Sequence, residues 1–163
     1  MKEVNLGILT GISYVTGIDY YKNINKYFML NKKPVYSLNP NPKIVMSSVD
    51  CDKYVKLLED KQYDKVSQHL MEGIEKLVNA GCSHLAIASN TGHIAFNSVK
   101  KSYPDLSIIH IADCLATELK KKSYFNVGLI GTKPTMEENY LIDRLKMHGI
   151  NTVVPSNAED RTK

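Results

Sequence analysis

Ser89, Asn90 and Thr91 follow an apolar run, Leu85-Ala86-Ile87, and open a polar stretch. A hydroxyl, a carboxamide and a second hydroxyl in succession can hold an anion. At a strand-to-helix junction they are joined by backbone N–H groups that have no partner inside the helix. The same hydroxyl-rich chemistry recurs at Thr10-Gly11-Ile12-Ser13, after the run Val4–Leu9, and at Gly131-Thr132, after Phe125–Ile130. Other reactive side chains read as architecture. Cys51, Cys82 and Cys114 lie far apart without metal-ligand spacing and read as small buried hydrophobes, so no metal is expected. His93 reads as a packing or capping residue after Asn90, and His110 and Asp113 as a strand end and a helix cap.

These junctions need elements to position them. Val4–Leu9 reads as a strand, followed by an amphipathic stretch to Leu30 and a proline-containing loop, Asn31–Pro42. Ile44–Met46 reads as a second strand. Val55–Leu58 and then Val66, Leu70, Ile74, Leu77 and Val78 carry apolar residues at helical spacing, and Gly81 stands where glycine ends a helix. A strand His84–Ala88, a helix from Asn90 to Lys101 and a strand Ser107–Ile111 come next. The helix after that reaches Lys120-Lys121-Lys122, a cationic end suited to a helix C-terminus. Strand Phe125–Ile130, helix Thr135–His148, Gly149 and strand Asn151–Val154 complete the reading. Strands alternating with helices predict an α/β protein with a mostly parallel sheet covered on both faces. Ligands of such sheets bind beyond the carboxyl ends of the strands, where the hydroxyl-rich junctions fall.

With 43% hydrophobic and 23% charged residues in 163, the chain has the makeup of a globular protein long enough to bury a core. Its net charge of +4 comes from dispersed lysines rather than a basic stripe interleaved with aromatics, so no nucleic-acid partner is expected. No apolar run approaches the roughly 18 residues of a membrane span, and no membrane partner is expected either. Three cysteines, an odd count, without a signal-peptide pattern point to a reducing, cytoplasmic setting.

Five ordered segments together resemble the cofactor-independent aspartate/glutamate racemase family. Ser89-Asn90-Thr91-Gly92-His93 resembles that family's first catalytic turn, Cys-Asn-Thr-x-His, with Ser89 in the cysteine's place. Leu6–Ser13 resembles its opening Gly-Gly-Met-Ser turn, and Tyr20–Asn25 continues the match. Ser48-Val49-Asp50 and His110-Ile111-Ala112-Asp113 follow in order, and Gly131–Met136 matches Gly-Thr-x-x-Thr-Met. The resemblance implies two α/β halves with the substrate held between them. Residues 1–113 would form one flavodoxin-like parallel-sheet half, and 114–163 an incomplete second α/β half.

The family's chemistry is removal of a weakly acidic α-proton without pyridoxal phosphate, so the resemblance implies no cofactor. Inversion needs a base on one face and an acid on the other, and two thiols serve because their pKa of roughly 8.5 is readily tuned. By the resemblance, Ser89 occupies the first catalytic position, and Ser13, Asn90, Thr91, Thr132 and Lys163 contact the substrate, Lys163 at its carboxylate. The implied partners are an acidic amino acid, aspartate or glutamate, and a second copy in a homodimer, as is common in the family. A serine hydroxyl is a far weaker acid than a thiol, and the family's second motif, Gly-Cys-Thr-Glu, does not occur in this sequence. The implied activity is therefore impaired or one-sided. The alternatives are a catalytically inactive carboxylate-binding relative or a truncated relic.

Overall fold

The structure is a computed structural model that describes residues 5–32, 41–157 and 159–161. Most of the predicted 31–42 loop, and Lys163, lie outside the described residues. The chain divides into two compact units, Met1–Ile108 and Ile109–Lys163.

In the first unit the elements run β1 (Leu6–Thr10), α1 (Tyr14–Asn31), β2 (Ile44–Ser48), α2 (Cys51–Glu59), α3 (Tyr63–Asn79) and β3 (His84–Ile87). A 3-10 turn over Thr91–Ala95, α4 (Phe96–Ser102) and β4 (Ser107–Ile109) follow. The sheet order is β2-β1-β3-β4. β1 pairs in parallel with both neighbours, Thr10 opposite Ser48 and Leu9 opposite Ile87. Its central place explains its composition: Gly7 to Thr10 are all buried, as expected of a strand covered on both faces. β2 is an edge strand and leaves Val45 and Met46 exposed.

α3 covers the sheet with the predicted stripe. Val66, Leu70, Ile74 and Leu77 are at most 1% exposed, whereas Val78, at the end of the stripe, is only partly buried. Each full burial is worth about 1.5–3 kcal/mol, so this stripe anchors the unit. The predicted helix from Asn90 differs in its first turn, which is 3-10 before α4 begins.

In the second unit, α5 (Ile111–Lys121), β5 (Asn126–Gly128), α6 (Lys133–Glu137), α7 (Asn139–Met147) and β6 (Asn151–Val153) succeed one another. β5 and β6 pair in parallel, and Ala112, Ala116, Leu141, Leu145 and Ile150 form the core. The single helix expected over 135–148 is two helices. Glu138 is extended at ψ 142 while its N–H closes the last turn of α6 on the Pro134 carbonyl, so the axis is broken there.

Candidate functional site

The order of the strands, β2-β1-β3-β4, marks where a parallel sheet of this kind takes a ligand. The chain leaves β1 toward β2 on one side and leaves β3 toward β4 on the other, so the carboxyl ends of β1 and β3 form a topological switch point. Ser13 follows the first strand and Ser89 the second.

The turn after β1 is tight. Gly11 has φ 95, and a side chain there would meet the Val49 carbonyl at 2.3 Å, so both conformation and space demand glycine. The Val49 N–H binds the Thr10 carbonyl at 2.9 Å, tying the ends of β1 and β2. Ser13 then opens α1 as its N-cap, half-buried, with extended backbone and no side-chain capping bond. Its hydroxyl is thus not committed to the cap, as the simplest structural role would require.

The turn after β3 uses Ser89 differently. The Ser89 hydroxyl accepts the Gly92 N–H at 3.2 Å, a cap on the 3-10 turn that occupies one oxygen lone pair and leaves the hydroxyl proton to be donated. His93 is buried and its Nδ1 lies 2.8 Å from the Ser89 carbonyl and 3.2 Å from the Asn90 carbonyl. Facing two acceptors, Nδ1 carries the proton and the ring locks the turn from beneath, the packing role expected of it. Asn90 is exposed and makes no side-chain cap bond, while Thr91 is buried at 8% exposure. Ser13, Ser89, Asn90 and Thr91 therefore share the β1–β3 rim of one unit.

Thr132 belongs to the second unit, where it is the N-cap of α6. Its hydroxyl pairs with that of Thr135 at 3.0 Å, and Tyr140 reaches the Thr135 hydroxyl at 3.4 Å. Two expectations need correction. Asp113 is not a helix cap: His110 caps α5, its Nδ1 accepting the Ala112 N–H at 3.1 Å. Asp113, in the first turn of α5, pairs instead with Arg144 on α7 and with His148, the C-cap of α7, and the Arg144 guanidinium, with help from His148, holds its carboxyl down at about 2. Of the cysteines only Cys82 is buried, and burial pushes its thiol up. Cys51 and Cys114 are exposed, because Cys51 begins α2 and Cys114 lies on the outer face of α5, between the buried Ala112 and Ala116.

Two residues at the rim escaped the sequence reading. The Cys51 thiol donates to the Ile12 carbonyl at 3.2 Å, and the Thr16 hydroxyl donates to the Ala88 carbonyl at 2.7 Å. Thr16 stands one helical turn beyond Ser13, the only local hint of its place. A shallow groove of about 600 Å³ on α3 and α4 is lined by Asp64, Gln68, Glu72 and Glu75 among others and includes none of the candidate residues. Among the described residues no cluster of His, Cys, Asp and Glu could hold a metal, and no helix is long and apolar enough to cross a membrane.

Comparison with known proteins agrees with this architecture. The family model described as Asp/Glu/Hydantoin racemase matches residues 9–162, and the chain belongs to that family. A protein of Yersinia pestis described as a putative Asp/Glu racemase is similar with a TM-score of 0.84 and 28% identity, over 97% of this chain and 66% of its own. An aspartate racemase homologue from Pyrococcus horikoshii follows at 0.77 and 25%, over 96% and 66%. The aspartate racemase of Picrophilus torridus, at 0.67 and 21% over 94% and 63%, shares the fold. The chain thus spans about two thirds of the length of these relatives.

Proposed function

We propose that this chain binds an acidic amino acid at the carboxyl ends of β1 and β3 and serves α-proton chemistry without pyridoxal phosphate, in one direction rather than as a balanced racemase. The observation that carries the reading is Ser89. By its resemblance to the racemase turn Cys-Asn-Thr-x-His it takes the first catalytic position in this proposal; it lies on the switch-point rim, and its hydroxyl accepts the Gly92 N–H. In that state it is a hydrogen-bond donor to a carboxylate or to an enolate-like oxygen, not a base. Ser13 and Asn90 are proposed as further donors on the same rim, with the buried Thr91 beside them. Thr132 and Lys163 are proposed as additional carboxylate contacts, a homodimer as the working assembly and the cytoplasm as its place.

A second reading is favoured by the same hydrogen bond. A hydroxyl already used as a cap, and too weakly acidic to act as a thiolate, suits a protein that binds a carboxylate without turning it over. Incubation with L- and D-aspartate and glutamate in deuterated water, read by proton NMR, separates the two. Exchange of the α-proton from one enantiomer supports the enzyme. Calorimetric binding without exchange supports the binding protein, and failure to bind any of the four refutes both.

A further inference from the structure

The two turns that carry Ser13 and Ser89 are joined by one side chain. Thr16 lies in the first turn of α1, and its hydroxyl is 2.7 Å from the Ala88 carbonyl, 72 residues away, and 3.0 Å from the Ser13 carbonyl. A hydroxyl has one proton, and the shorter contact receives it. Ala88 is the residue before Ser89, and the peptide bond between them is planar. Fixing the Ala88 carbonyl therefore constrains the direction of the Ser89 N–H and the position of the Ser89 Cα, from which its side chain springs. Thr16 itself is exposed, so packing does not explain a threonine here.

The surroundings make this contact a spacer rather than a loose touch. Gly17, the next residue, lies so close to β1 that a side chain would fall 1.9 Å from the Thr10 hydroxyl oxygen. The Ile12 side chain in turn lies against Gly92, where a Cβ would meet it at 2.9 Å. The Ala88 N–H binds the Leu9 carbonyl at 2.9 Å, so the strands below are already in register. What remains adjustable is the distance between the start of α1 and the turn after β3.

We propose that Thr16 is a positioning residue of the candidate site: through its bond to the Ala88 carbonyl it sets the spacing of Ser13 and Ser89 for a carboxylate ligand. This rests on the acidic amino-acid reading above. Without the bond, the turn samples orientations that do not bind, and apparent affinity falls by the fraction of time lost.

The test compares the full chain with Thr16→Val and Thr16→Ser. L-Aspartate affinity is measured by calorimetry, melting temperature by circular dichroism and exchange of the Ser89 and Gly92 amides by NMR. Thr16→Val is expected to weaken aspartate binding by about three- to ten-fold, the worth of one hydrogen bond, and to speed exchange of both amides. Thr16→Ser is expected to restore both to within about two-fold of the wild type. A merely structural role would lower the melting temperature and leave the affinity of the folded protein unchanged, and that result overturns the proposal. If the wild type binds no acidic amino acid, the functional reading fails by itself. Amide exchange then decides the spacer: unchanged protection in Thr16→Val overturns it.

Discussion

Replacing Asp113 with asparagine isolates what the ion cluster of the second unit is worth. The carboxylate takes two parallel bonds from Arg144, Nε to Oδ1 and Nη2 to Oδ2, each 2.7 Å, and a third from His148 Nε2 to Oδ1, also 2.7 Å. These partners lower its pKa from 3.8 to about 2, chiefly through the Arg144 hydrogen bonds, against a desolvation cost that acts the other way. Taken at face value, such a shift would be worth roughly 2.5 kcal/mol. The carboxylate side chain is 34% exposed and that of Arg144 27%, so solvent screening leaves about 1–1.5 kcal/mol. Asp113→Asn keeps the shape, removes the charge and turns an amide N–H2 toward a guanidinium or imidazole donor.

The sign fixes the pH window. A folded-state pKa below the ordinary value means that the stabilisation is complete above pH 3.8 and disappears as pH falls to about 2. At pH 7, hydrogen exchange followed by mass spectrometry on peptides from α5 and α7 is expected to run about five- to ten-fold faster in the variant. Urea titrations between pH 7 and pH 2 should show the difference holding to about pH 4 and then shrinking toward zero. Equal exchange at pH 7, or a difference that persists unchanged at pH 2, would refute the argument that charge, rather than shape, joins α5 to α7.

Two further outcomes follow from the first unit. Ile74→Ala removes a fully buried side chain from the α3 stripe and is expected to cost about 2–5 kcal/mol in urea unfolding, while Val78→Ala, only partly buried, should cost far less. Equal costs would mean that the stripe does not anchor the sheet. Ser89→Cys is expected to raise α-proton exchange of an acidic amino acid if an opposing acid–base group is present, and to speed amide exchange at Gly92, because sulfur is a weak acceptor. Unchanged exchange at Gly92 would show that the hydroxyl is not the cap.

What could be read in the sequence was local. The spacing of Val66, Leu70, Ile74 and Leu77 names its own buried face, since a helix repeats every 3.6 residues whatever it packs against. The turns at Ser13 and Ser89 were legible for a similar reason: small and hydroxyl residues between a strand and a helix are chemically informative before any fold is known. The break at Glu138 was not, because Met136, Leu141 and Leu145 all prove to be buried and give no sign that the helix axis changes between them. Pairings across distance left no trace either. Asp113 meets Arg144 across 31 positions and Thr16 meets Ala88 across 72, and neither partner alters the local pattern around the other. Exposure of Cys51 and Cys114 was likewise hidden, since the side of a helix that faces outward depends on its neighbours.

In the proposed reading, where Ser89 takes the place of the family's cysteine, the exchange of a thiol for a hydroxyl changes more than acidity. Sulfur accepts hydrogen bonds poorly, so a cysteine at this position leaves the Gly92 N–H to find another partner and keeps its own S–H, or thiolate, for chemistry. Serine reverses both properties. Its oxygen takes the Gly92 N–H at 3.2 Å and stiffens the 3-10 turn, and its proton, unlike that of a thiol near neutrality, stays in place. Under the proposed reading the turn thereby gives a hydrogen bond where a cysteine would take a proton. His93 reinforces the shift, since its Nδ1–H is directed at the Ser89 and Asn90 carbonyls and its ring is 2% exposed. A turn locked from beneath by His93, capped by Ser89 and held laterally by Thr16 is rigid on three sides. Rigidity of that kind favours holding a carboxylate in one orientation, which both proposed readings require, over the exchange of roles between two bases on which inversion depends.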